Sequence, residues 1–129
     1  MEARQWLEIY LEGWRKGDAE KSLGATAPGF YYDDPATGRI QRRDFIDFVE
    51  DFKAAGAELA NGRMPSPFLQ YSDLIVSGTA PSTAWCWWCV TGTDLQGAAL
   101  IHFDDTGILS ERIAYFTSNP VATAIPAET

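Results

Sequence analysis

The chain has 129 residues, 46% of them apolar and 13% aromatic, with a formal net charge of −8. That is enough apolar material for one packed domain and too much for a disordered chain. The acidic balance and the brevity of the Arg42-Arg43 pair argue against nucleic acid or an anionic membrane surface as a partner. No apolar run reaches membrane-spanning length, and Met1-Glu2-Ala3-Arg4 lacks the apolar core of a secretory signal. A cytoplasmic location is expected.

Residues 3–16 place Trp6, Leu7, Tyr10, Leu11 and Trp14 at three- and four-residue spacing, which predicts an amphipathic helix ended by Gly17. Asp18 suits the N-cap of a second helix running to about Ala27 and stopped by Pro28-Gly29. Phe30 to Asp33 reads as a strand. Pro35 biases Asp34 toward extended geometry, and Pro35 to Gly38 turns the chain. Arg39-Ile40-Gln41 is a short extended piece. Asp44 to Ala55 forms a third helix with Phe45, Phe48, Val49 and Phe52 on one stripe and Gly56 as its stop. Residues 57–67 read as a connector.

The remainder is β in character. Strands are predicted over Phe68–Gly78, Thr83–Thr93, Ala98–Asp104 and Ile108–Thr117, joined by turns at Ala80-Pro81-Ser82, Asp94 to Gly97, and Asp105-Thr106-Gly107. Cys86 and Cys89 have the Cys-x-x-Cys spacing of redox and zinc sites. On a strand they face opposite sides, so they are expected to be structural thiols. Helices first and antiparallel strands after give an α+β layout. A curved sheet covered by three helices encloses an apolar cone suited to a small, mostly apolar molecule. Residues 1–118 make one domain and 119–129 a C-terminal tail.

The ordered marks are an aromatic first helix ending in Gly17-Asp18, then Tyr31-Tyr32-Asp33-Asp34-Pro35 with a Gly beyond it, and a Phe-bearing third helix. His102-Phe103, a turn at Gly107 and Ile113-Ala114-Tyr115-Phe116 complete them. Over roughly residues 4 to 118 the chain thus resembles the nuclear transport factor 2-like superfamily, and within it the ketosteroid isomerase and SnoaL-like polyketide cyclase group. The resemblance implies a general-base Asp directly before a Pro at the end of the first strand, matched by Asp34. It implies a first-helix tyrosine that donates to a substrate oxyanion, matched by Tyr10. It also implies a second donor, a protonated acid before a His-Phe pair, and here Ile101 stands in that place. An oxyanion donor is worth about 3–4 kcal/mol in the transition state. Its absence points away from steroid isomerisation and toward abstraction of a more acidic proton.

The expected site therefore has Asp34 as proton shuttle and Tyr10 as oxyanion donor. Trp14, Phe48, Phe52, Trp85 or Trp87, Ile101, Arg112 and Phe116 are the expected ligand-binding residues. The residues also allow plainer roles: a solvated turn for Asp34 and a core tyrosine for Tyr10. Asp33 is expected on the surface. Trp85 and Trp87 share one strand face, Cys86 and Trp88 the other, so one face would line the cone and the other meet a helix or a second subunit. The superfamily resemblance implies a homodimer through the sheet. His102 is expected to point outward if Ile101 points in. Arg112 either faces inward, to pair with Asp34 or bind a substrate carboxylate, or lies on the surface beside Glu111 or an edge carboxylate. With no phosphate loop and no metal-spaced cluster readable, the chemistry expected is free of cofactor and metal. The alternative is a non-catalytic module that binds a small ligand or dimerises.

Overall fold

The computed structural model describes residues 1–78 and 81–116, so the tail expected over 119–129 lies outside the described residues. Helix α1 spans Ala3–Lys16, as its apolar spacing predicts, and Gly17 closes it in the left-handed region at φ 69°. Asp18 caps α2, its carboxylate accepting from the Lys21 amide at 3.1 Å, but α2 is only Ala19–Gly24. Strand β1 follows at once and runs over Thr26–Asp34. Pro28-Gly29, expected to stop a helix, instead lies inside this strand. It is exposed and falls where the ladder register shifts, between Thr26 and Tyr31, a place where a missing N–H is tolerated.

Strand β2 (Gly38–Gln41) and one 3-10 turn (Arg42–Asp44) lead into α3, Phe45–Leu59. The helix runs past Gly56 because that residue is a packing position rather than a stop. A Cβ there would come within 2.9 Å of the Phe68 ring. Strands β3 (Leu69–Ser77), β4 (Ser82–Val90), β5 (Gln96–Asp104) and β6 (Gly107–Tyr115) follow.

The six strands make one sheet in the order β2-β1-β6-β5-β4-β3. Only β1 and β6 run parallel; the other neighbours are antiparallel. The architecture is α+β, a curved and mostly antiparallel sheet with its helices packed on the concave side. Tyr32, Glu111, Ile101 and Ala84 pair in succession across β1, β6, β5 and β4, and all four side chains are buried. Phe45 fills the space above this row, its ring 5.2 Å from Phe30, 5.9 Å from Trp14, 6.1 Å from Tyr32 and 6.3 Å from Tyr10, centroid to centroid. Among the described residues no helix is long and apolar enough to cross a membrane.

Candidate active site in the cone

The apolar row contains one carboxylic acid. Glu111 is 3% exposed, and it is there because β6 carries an irregularity: its pairing with β5 slips between His102 and Phe103, putting Leu109 out of step. Ile108, three residues before Glu111, can therefore share its face. The Tyr10 hydroxyl, on the buried stripe of α1, donates to Glu111 Oε1 at 2.5 Å. Burial raises the Glu111 carboxyl from 4.5 to about 7, and the Tyr10 bond only partly opposes that rise. Tyr10 itself is pushed well above the usual phenol range, first by burial and then by the Glu111 charge, so it stays protonated and donates.

Glu111 borders a cavity of about 10 Å³, roomy enough for a single water, walled by Trp14, Tyr32, Phe52, Leu69, Tyr71, Trp88 and Ile113. Burial raises both Tyr32 and Tyr71, and the Glu111 charge adds to each rise, so these phenols stay neutral around the acid. Trp14 is 2% exposed and its Nε1–H has no acceptor among the described residues. Cys86 faces the same interior, and burial pushes its thiol up to about 12, which leaves it inert at neutral pH.

Asp34 is buried nearer the end of β1 and does not border this cavity. Its Oδ1 accepts from the amides of Ala36 (2.7 Å) and Thr37 (3.2 Å), and its Oδ2 accepts from the Tyr115 hydroxyl at 2.6 Å. The Asp34 charge in turn raises Tyr115, after burial, above the usual phenol range. Asp34 and Tyr10 thus have separate partners: Tyr10 holds Glu111, and Asp34 holds the turn and Tyr115. A larger open groove of about 600 Å³ runs along the outside of α1 past Leu74. Four of its charges pair, Arg4 with Glu8 and Arg15 with Glu12, and among the described residues it contains no buried polar group.

No family model matches the chain, and no curated protein matches it. Solved structures do. An NTF2-like protein from Cytophaga hutchinsonii superposes with a TM-score of 0.62 at 12% identity, over 88% of this chain and 94% of that one. A candidate ketosteroid isomerase from Kribbella flavida gives 0.57 at 16% identity, over 90% and 78%. A candidate polyketide cyclase from Xanthomonas campestris gives 0.55 at 17% identity, over 88% and 89%.

The fold is NTF2-like. At these identities the likeness shows the fold and leaves the chemistry to this chain's own residues.

Within the NTF2-like cone, Trp14 and Phe52 border the cavity as expected, and Phe48 packs behind them against Tyr32 at 4.9 Å. Ile101 is fully buried beside Glu111 without bordering the cavity. Four expected ligand-binding residues need correction. Trp85, Trp87 and Phe116 lie on the convex face, where Trp87 meets Trp85 at 4.8 Å and Phe116 at 5.4 Å. Strand alternation sends Trp88, not its neighbours, inward. Arg112 is also on the convex face, 69% exposed at its side chain and 3.7 Å from Asp33, so the surface pairing holds with Asp33 as its partner. Asp33 is gripped there by Arg39 as well, at 2.8 and 3.1 Å, and these cations hold its carboxyl below the usual range. His102 shares that outer face beside Ser110 at 3.4 Å.

Sequence reasoning missed Glu111. The available signal was parity: Glu111, Ile113 and Tyr115 alternate on one face, an acid in line with two apolar residues. The large Phe116 drew attention to the opposite parity.

Proposed function

We propose that the cone performs cofactor-independent acid–base chemistry on a small carbonyl compound, with Glu111 as the proton carrier and Tyr10 as the residue that positions it. One observation carries the reading: the carboxyl that faces the cavity is buried, bonded to a tyrosine, and poised to exchange a proton at about pH 7. A base matched to the working pH is the most effective kind. The cavity is small as it stands, so a substrate enters by displacing the half-buried rings of Phe52 and Tyr71 at its edge. The test is deuterium exchange at the α-carbon of simple ketones, followed by NMR. Native protein is expected to accelerate it and Glu111→Gln to lose at least about 100-fold; equal rates in the two proteins would defeat the reading.

A second reading is favoured by one observation. Glu111 pairs directly across from Ile101, the position where the resemblance expects a protonated acid. Glu111 in its neutral form would then be the oxyanion donor, and Asp34 the base. Asp34→Asn separates the two. With Glu111 as base, Asp34→Asn costs about 1–2 kcal/mol of stability through its weakened bonds and leaves turnover within a few-fold. A turnover loss of about 100-fold would transfer the proton to Asp34.

The convex face supports a homodimer as the assembled form. Ile75 (64% exposed), Phe116 (53%) and Trp87 (40%) leave an apolar patch there that water disfavours. Trp87→Glu should leave the fold unchanged by circular dichroism and shift sedimentation from dimer to monomer. A native chain that sediments as a monomer at high concentration would remove the dimer.

A further inference from the structure

Three indoles meet the interior or its margin, and two are satisfied: Trp6 donates to the Asp105 carbonyl at 3.0 Å and Trp88 to the Ala98 carbonyl at 3.1 Å. Trp14 is the exception. It is the most deeply buried of the three, yet its Nε1–H finds no acceptor among the described residues. The N–H comes near enough to the Tyr10 hydroxyl to favour its phenolate, without reaching hydrogen-bond geometry. Tyr10 meanwhile gives its own proton to Glu111. Native interiors rarely leave a buried donor unpaired, because the missing bond is not recovered from water. The residue with the vacant N–H also lines the cavity that Glu111 borders.

We propose that Trp14 Nε1–H is the hydrogen-bond donor to the oxygen of a small, uncharged carbonyl compound seated beside Glu111. The walls explain the class. Aromatic rings surround the cavity and among the described residues no cation borders it, so an anion would meet the Glu111 charge with none of them to offset it. Tyr10 is occupied, and the indole is the fully buried donor at the cavity that lacks an acceptor among the described residues, which suits it to meet charge developing on oxygen. The step balances without a further reactant. Glu111 takes the α-proton, the C–H electron pair becomes the enolate double bond, and the carbonyl pair moves to the oxygen held by Trp14. Glu111 then returns its proton to the same carbon or to a conjugated one. This assignment rests on Glu111 as proton carrier for its chemistry; the binding of a carbonyl oxygen by Trp14 does not.

The test uses full-length protein labelled with nitrogen-15 and two probe ketones, cyclohexanone and acetophenone, against cyclohexane and ethylbenzene as matched hydrocarbons. The Trp14 indole signal is identified by its loss in Trp14→Phe. The ketones should move that signal downfield saturably while the hydrocarbons do not, and the Trp6 signal, outside the cavity, should stay in place. Trp14→Phe should also slow Glu111-dependent α-deuterium exchange by about 100-fold. A Trp14 signal indifferent to both ketones overturns the proposal, as does unchanged exchange in a folded Trp14→Phe variant where Glu111→Gln does slow exchange. Should that variant fail to fold, the Trp14 signal is assigned by elimination from Trp6→Phe, Trp85→Phe, Trp87→Phe and Trp88→Phe, and the native-protein titration decides. If the ketones shift the signal but Glu111→Gln exchanges as fast as native protein, the donor stands and the proton-carrier reading falls.

Discussion

Glu111→Gln is expected to make the protein more stable than the native chain at pH 8 while removing the proton transfer proposed for Glu111, and both effects have one cause. The Gln side chain keeps the shape of Glu and can accept the Tyr10 hydroxyl through its carbonyl, but it never ionises. The native carboxyl is raised by burial from 4.5 to about 7, so the folded state holds the proton more tightly than the unfolded state does. Its contribution is therefore fully present below the unfolded value and is lost as pH rises toward and through the folded one. A rise of that size corresponds to about 3 kcal/mol. Urea denaturation at pH 4 and pH 8 reads it directly, because other titrating groups cancel in the difference between variant and native protein. The stability gap should widen in favour of Gln by about that amount between the two pH values. A gap that does not change with pH would mean that Glu111 titrates as an ordinary surface acid.

The second large effect is structural. Phe45 is fully buried and touches the rings of Tyr10, Trp14, Phe30 and Tyr32, so it holds the site's two α1 residues against β1. Phe45→Ala removes a ring from a close-packed cluster and leaves a void, at a cost of about 3–5 kcal/mol. Denaturant unfolding measures it. A loss below about 1 kcal/mol would show that the neighbouring rings collapse into the space and that the cluster is not fixed. The same variant should weaken the proton carrier, because Tyr10 loses one of the rings that orients its hydroxyl toward Glu111.

The fold was legible because its signals are local. Helix α1 follows from apolar spacing that ends at Gly17, and the α+β layout follows from helices preceding four alternating strands. The early boundaries were less so. Pro28-Gly29 is a stop signal in a helix and a bulge signal in an edge region, and only pairing with β6 decides between them. Gly56 reads as a helix terminus until Phe68 arrives from elsewhere in the chain to pack against it.

The site was only half legible, for a reason tied to strands. A strand shows which residues share a face but not which face is inside, and here both faces of β4 carry tryptophan. In β6 the slip at Leu109 breaks the simple two-residue rhythm, so the parity of Ile108 does not predict that of Glu111. Tyr10 could be placed in the interior from α1 alone. Its partner could not, because the Tyr10–Glu111 bond joins residues 101 positions apart. Asp34 looked like a free carboxylate at a strand end, yet the turn that Pro35 begins folds back to bond it.

The proposed chemistry of the cone depends on Glu111 being a buried acid able to trade a proton near neutrality. The most direct measurement is the carboxyl carbon-13 shift of Glu111 followed by NMR from pH 3 to pH 9, assigned by its absence in Glu111→Gln. The expected midpoint is close to 7. A midpoint at the ordinary value near 4.5 would contradict it.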